Sequence, residues 1–177
     1  MKGYNPYVLG IDVQPRGIAA GVLSISDGSY VTHGWVELTG DTPASLMNLA
    51  IKRTALLGKH YKPLLAVVEE PTAMRSPSST ALYGLFGCVL GQLYSHSSLC
   101  YGIVVPQWKK LSGLNEWARD TKNDSKGVIK KAAIPEGVQH LLHEHDIDPP
   151  VADVYDALGV ALAGYNINKE LMEELNG

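Results

Sequence analysis

Over the first hundred residues the apolar positions fall into short blocks separated by turn residues. Residues 7–13 (YVLGIDV), 18–25 (IAAGVLSI) and 30–38 (YVTHGWVEL) predict three strands. Gln14-Pro15-Arg16-Gly17 and Ser26-Asp27-Gly28-Ser29 read as tight turns between them, so the three strands predict an antiparallel meander. Asp41-Thr42-Pro43 then opens a helix with Leu46, Leu49, Ala50, Arg53 and Leu57 at helical spacing. LLAVVE after Lys62-Pro63 is a continuous apolar run, the pattern of a central strand buried on both faces. A second helix spans 78–95, and LCYGIVV (99–105) predicts a fifth strand closed by Pro106. The final third predicts a turn near 107–112 and helices near 124–133, 136–145 and 151–166. The stretch Leu114–Asp124 reads as a long inserted loop. A meander followed by alternating helices and strands makes an α/β fold, a mixed five-stranded sheet flanked by helices.

Four acids interrupt this pattern. Asp12 lies in YVLGIDV, Glu69 closes LLAVVE, and Asp153 and Asp156 sit three apart in VADVYDALG. A charge at the end of an apolar strand is costly unless something positive binds it. Asp153 and Asp156 share one face of a predicted helix. Acids from two strand ends and one helix face can meet and hold a pair of divalent cations, which points to chemistry on phosphate esters. Each acid also has a plainer use. Asp12 suits a turn cap, and Asp153 suits the positive end of a helix dipole after Pro149-Pro150. Strand alternation sends Glu69 and Glu70 to opposite faces; parity with Val67 favours Glu69 without settling the choice.

Bulk composition changes the picture only in part. The 177 residues are enough for one domain, 1–177, with its own core; 45% are hydrophobic and 19% charged, as in globular proteins. No segment has the form of a signal peptide or the length of a membrane span, so a cytoplasmic protein is expected. Cys88 and Cys100 lie in apolar surroundings and read as buried thiols of a reducing compartment. The net charge of −3 hides a basic window between Lys109 and Lys131, with seven basic and three acidic residues. Taken alone that window reads equally as a solvated basic face; beside a metal site it is a candidate phosphate-binding rim, with Lys109, Lys110, Lys122, Lys126 and Lys130 as contacts for DNA.

Two other patterns lead less far. His140, His143 and His145 place only His140 and His143 on one helix face, with no third ligand at useful spacing, so an exposed helix end is favoured over zinc. Gly10–Gly21 lacks both the Walker lysine and the G-x-G-x-x-G spacing.

GID at the end of the first strand, AVVE closing a central strand and ADVYDAL on a late helix resemble the RuvC family of Holliday-junction resolvases, within the RNase H-like superfamily. The resemblance runs over nearly the whole chain. It implies an RNase H-like sheet, with Asp12, Glu69, Asp153 and Asp156 as catalytic metal ligands and Lys109 and Lys126 as lysines near the site. It also implies two Mg²⁺ or Mn²⁺ ions per active site, a homodimer and paired nicks in four-way DNA junctions, flaps and forks being further candidates. The apolar helix 79–94, with Gly84, Gly87 and Gly91, is then the dimer surface; without the resemblance it is equally a helix buried within one chain. The opening GIDVQPRG replaces the family's G-I-D-P-G, and Thr72 stands about where the family carries an aromatic residue. Such divergence suits a viral or remote member, in host cytoplasm if viral.

The expected activity is metal-dependent hydrolysis of a DNA phosphodiester. Lys126 would position the nucleophile or offset charge on the scissile phosphate, and Lys109 would touch the backbone. Two readings compete: a different RNase H-like nuclease, acting on RNA–DNA hybrids or single strands, and a non-catalytic protein that binds branched DNA.

Overall fold

Tyr7–Gln14 forms β1, a strand in which all but the end residues are buried, and Gly17–Ser24 forms β2 after the two-residue Pro15-Arg16 turn. The computed structural model describes residues 6–72, 77–122 and 128–176. Strand β3 (Tyr30–Glu37) completes an antiparallel meander with β1 and β2. Helix α1 (Pro43–Tyr61) begins at Thr42, whose Oγ1 accepts a hydrogen bond from the Ser45 N–H at 3.2 Å. It ends at Lys62 in the left-handed conformation, and the chain returns as β4 (Leu65–Glu70), parallel to β1. Helix α2 (Pro77–Tyr94) leads to β5 (Leu99–Val104), parallel to β4. The sheet order is β3-β2-β1-β4-β5. The expected mixed sheet, with its first three strands antiparallel, is what forms.

The sheet divides two cores. On one face α1 and α2 cover Leu9, Ile11, Val13, Ala66 and Val68. On the other, α3 (Val105–Leu111), α4 (Leu114–Lys122), α5 (Ile134–Leu142) and α6 (Asp153–Asn176) cover Val8, Ala19, Leu65, Val67 and Ile103. Period-2 alternation along β1 therefore places Val8, Gly10 and Asp12 towards α6.

Helix α6 lies unusually close to the central strands. A Cβ on Gly10 would fall on the Ala157 carbonyl and the Ala161 backbone, and one on Gly21 would come within 2.8 Å of the Leu158 backbone. On the helix side, a Cβ at Gly164 would be 2.7 Å from Val67. Glycine is required at Gly10 because the obstacle is backbone, which cannot rotate away.

The last third departs from the sequence reading. Leu114–Asp124 is not an inserted loop: residues 114–122 form α4, held by the buried Leu114, Trp117 and Ala118. That i, i+3, i+4 triplet is short and embedded in charged residues, which conceals the helix. The helix expected near 124–133 is absent from the described residues of that range; 128–130 are irregular and Lys131–Ala133 is one 3₁₀ turn. Helix α5 stops at Leu142, where His143 takes a left-handed backbone, rather than at 145. Helix α6 continues ten residues past 166. Its polar end is rich in good helix formers and carries a Lys169–Glu173 pair at 4.0 Å. Cys88 and Cys100 are free thiols and only partly buried. Among the described residues, no helix is long and apolar enough to cross a membrane.

Gly10→Ala should cost about 3 kcal/mol, the upper end of ordinary overpacking, because neither backbone can yield. Urea unfolding reads this directly; unchanged stability would mean that α6 does not sit this close to β1.

Candidate metal centre

The strand pairing sets two of the acids side by side. Ile11 pairs with Val68 in the parallel β1–β4 ladder, so the next residues, Asp12 and Glu69, stand on neighbouring strands. Glu69 has the parity of Leu65 and Val67 and faces α6; Glu70 faces α2, near Phe86 and Gly102. The α6 N-terminus brings Asp153 and Asp156 to the same end of the sheet, one turn apart on one face. The close seating of α6 thus closes the cluster.

One ligand oxygen each from Asp12, Asp153 and Asp156 lies within 4.8 Å of the others. Among the described residues no other His, Cys, Asp or Glu group has this geometry. Glu69 falls outside that tight trio, yet its charge is the second largest cause, after burial, of the upward shift of the Asp12 carboxyl. The sequence-derived four thus resolve into a compact three and a near neighbour.

Asp12 is 2% exposed and Asp156 9%. Burial holds the Asp12 carboxyl well above the usual range, with Glu69, Asp156 and Asp153 adding to it and the Gln14 hydrogen bond opposing it. Burial, with the Asp156 charge, pushes Glu69 up to about 7 against the Trp108 hydrogen bond, Lys109 and Lys131. Asp156 is also raised, chiefly by burial, although Lys131 and Lys109 oppose the shift.

Among the described residues, Lys131 and Lys109 are the cations that act on these acids. Lys131 Nζ lies 3.6 Å from Asp153 and 3.8 Å from Asp156, but its side chain is 72% exposed, so water screens the pairs. Its ammonium is held more firmly protonated by Asp156, Asp153 and Asp12. Lys109 lies with Nζ 5.6 Å from the Trp108 ring centre, near enough to lower Glu69 and Asp156. Lys110 and Lys130 are exposed, and Lys122 is the last residue of α4. Lys126 lies outside the described residues.

Neutral groups hold two of the acids. Gln14 Nε2 donates to Asp12 Oδ2 at 2.7 Å, and Trp108 Nε1 donates to Glu69 Oε2 at 2.8 Å. Sequence reasoning missed Lys131, Gln14 and Trp108 as site residues. Lys131 was visible only as one of seven bases; Gln14 shares strand parity with Asp12, a usable signal; Trp108 left none, since a buried tryptophan ordinarily reads as core. An all-oxygen set of buried and half-buried acids has the donor chemistry of a hard divalent cation.

No protein-family model and no curated protein matches the sequence. The fold is nonetheless that of the RuvC resolvases. Thermus thermophilus RuvC superposes with a TM-score of 0.71 at 17% identity, over 93% of this chain and 96% of that one. A T. thermophilus RuvC in complex with a Holliday junction substrate gives 0.70 at 16% identity over the same shares of the two chains. The yeast mitochondrial Holliday junction resolvase Ydc2 gives 0.63 at 15% identity, over 97% and 82%. Over most of its length the chain is built on this RNase H-like plan.

With divalent ions chelated, Glu69 binds its proton more tightly in the folded state, near 7, than at its ordinary 4.5. Its contribution to stability is therefore full below about 4.5 and lost as pH rises through about 7. The melting temperature of the chelated protein, taken relative to that of Glu69→Gln, should fall across that window, and a divalent ion should restore it at pH 7.5. A difference that grows with pH would contradict the assigned burial.

Proposed function

We propose that the protein is a metal-dependent, structure-selective DNA endonuclease that cuts branched DNA, four-way junctions foremost. The observation that carries this is the convergence of Asp12, Asp153 and Asp156 within 4.8 Å, beside Glu69, on the scaffold shared with the RuvC resolvases. A pair of Mg²⁺ or Mn²⁺ ions held there would supply an activated water and offset charge on the departing 3′ oxygen. Asp12, the most buried of the four acids and the one whose carboxyl feels the charge of the other three, would hold the ions together with Glu69, Asp153 and Asp156.

Lys131 replaces Lys126 in this reading as the described lysine next to the acids; exposed and long, it can leave Asp153 and Asp156 for a phosphate oxygen. Lys109, Lys110 and Lys130 contact the DNA backbone and position it without reading its sequence. Lys122 and Lys126 belong to the same basic window.

A homodimer through α2 completes the proposal. Gly87 and Gly91 are exposed with open space where a Cβ would go, and Tyr94, 69% exposed, continues the same helix face. A smooth helix stripe of this kind lets a second copy approach closely, which sets two active sites against two strands of one junction.

Asp12→Asn should reduce cleavage of a four-way junction to the uncatalysed background while leaving junction binding in a gel-shift assay unchanged. Wild-type cutting by this variant would remove Asp12 from the mechanism. In the same assay, a hybrid duplex or single strand cut faster than the junction would transfer the protein to another RNase H-like activity. Gly91→Glu should leave the monomer folded by circular dichroism but shift sedimentation from dimer to monomer at micromolar concentration. A monomeric wild type would remove paired nicking.

A further inference from the structure

The two strand-borne acids are held alike, each accepting a hydrogen bond from a neutral donor on one oxygen. The donors differ in rigidity. Gln14 is only partly buried and has a flexible amide. Trp108 is 1% exposed and sits in α3, which follows β5 without a linker. Its ring is backed by α6 so tightly that a Cβ on Gly159 would lie 2.6 Å from it. An indole has one donor and no acceptor, so its N–H has a single use here: one oxygen of Glu69. A carboxylate pinned in this way is hindered from turning to offer both oxygens to one ion.

We infer that Trp108 is a positioning residue that sets metal selectivity: by fixing Glu69 as a one-oxygen ligand it favours small, octahedral ions over Ca²⁺. Ca²⁺ accepts bidentate carboxylates and irregular shells, whereas Mg²⁺ demands near-ideal octahedral geometry, to which Mn²⁺ also conforms. The inference rests on the reading that these acids bind divalent cations.

The test measures Mn²⁺ and Ca²⁺ binding to the full chain without DNA, by titration calorimetry. Trp108→Phe keeps an aromatic ring but removes the donor together with part of the indole, so the Glu69 background below separates the lost bond from the lost packing. The Mn²⁺ preference over Ca²⁺ should fall about tenfold, the scale of outer-shell effects on metal affinity. In a Glu69→Gln background the same substitution should change the preference no further, a coupling that a merely structural role would not produce. If wild type binds both ions and Trp108→Phe leaves their ratio unchanged, the selectivity role is wrong and the metal site stands. If wild type binds neither, both fall. Should Trp108→Phe fail to fold, ¹⁵N spectra of wild type, which has three tryptophans, decide. One indole N–H should be shielded from exchange, move on Mn²⁺-mimicking Mg²⁺ addition and move again in Glu69→Gln; no responsive indole would overturn the role.

Discussion

The seating of α6 on β1 is the constraint from which the rest follows. Backbone meets backbone at Gly10, and that approach carries the helix N-terminus down to the end of the sheet where Asp12 lies. Were the helix lifted by the usual side-chain layer, Asp153 and Asp156 would no longer share a 4.8 Å neighbourhood with Asp12. A packing feature, the absence of a methyl group, therefore decides an electrostatic one. The β1–β4 register contributes the remaining half by setting Glu69 beside Asp12.

The cost of that arrangement is visible in the acids themselves. Burial and mutual repulsion push Asp12, Glu69 and Asp156 upward, and among the described residues two neutral hydrogen bonds and the lysines Lys131 and Lys109 oppose the shift. A fully buried arginine would calm the cluster and also fill it. Leaving the charge incompletely matched keeps the acids available to a cation from solvent, a common exchange of stability for function.

What could be read from the chain follows the physics of each signal. The strands were legible because apolar runs such as LLAVVE and turns such as Gln14–Gly17 act locally. Asp12 and Glu69 were legible because charge at a strand end violates the local pattern, and Asp153 and Asp156 because a three-residue spacing puts them on one helix face. Helix α4 was not, since Leu114, Trp117 and Ala118 reveal a face only once the core that buries them is known. The same holds for Lys131: the Asn115 side chain accepts from the Ile129 N–H at 3.0 Å, and this long-range tie helps carry the following residues to the acids. The bond from Trp108 to Glu69 spans 39 positions and left no sequence trace.

The acid trio draws on residues 12, 153 and 156, so most of the polypeptide separates its members. In chain order β1 precedes α6, so its aspartate lacks these two companions until that helix has been made and seated. Until α6 docks, the three-acid cluster does not exist. The cluster therefore forms late and as a unit, when the helix docks and not strand by strand.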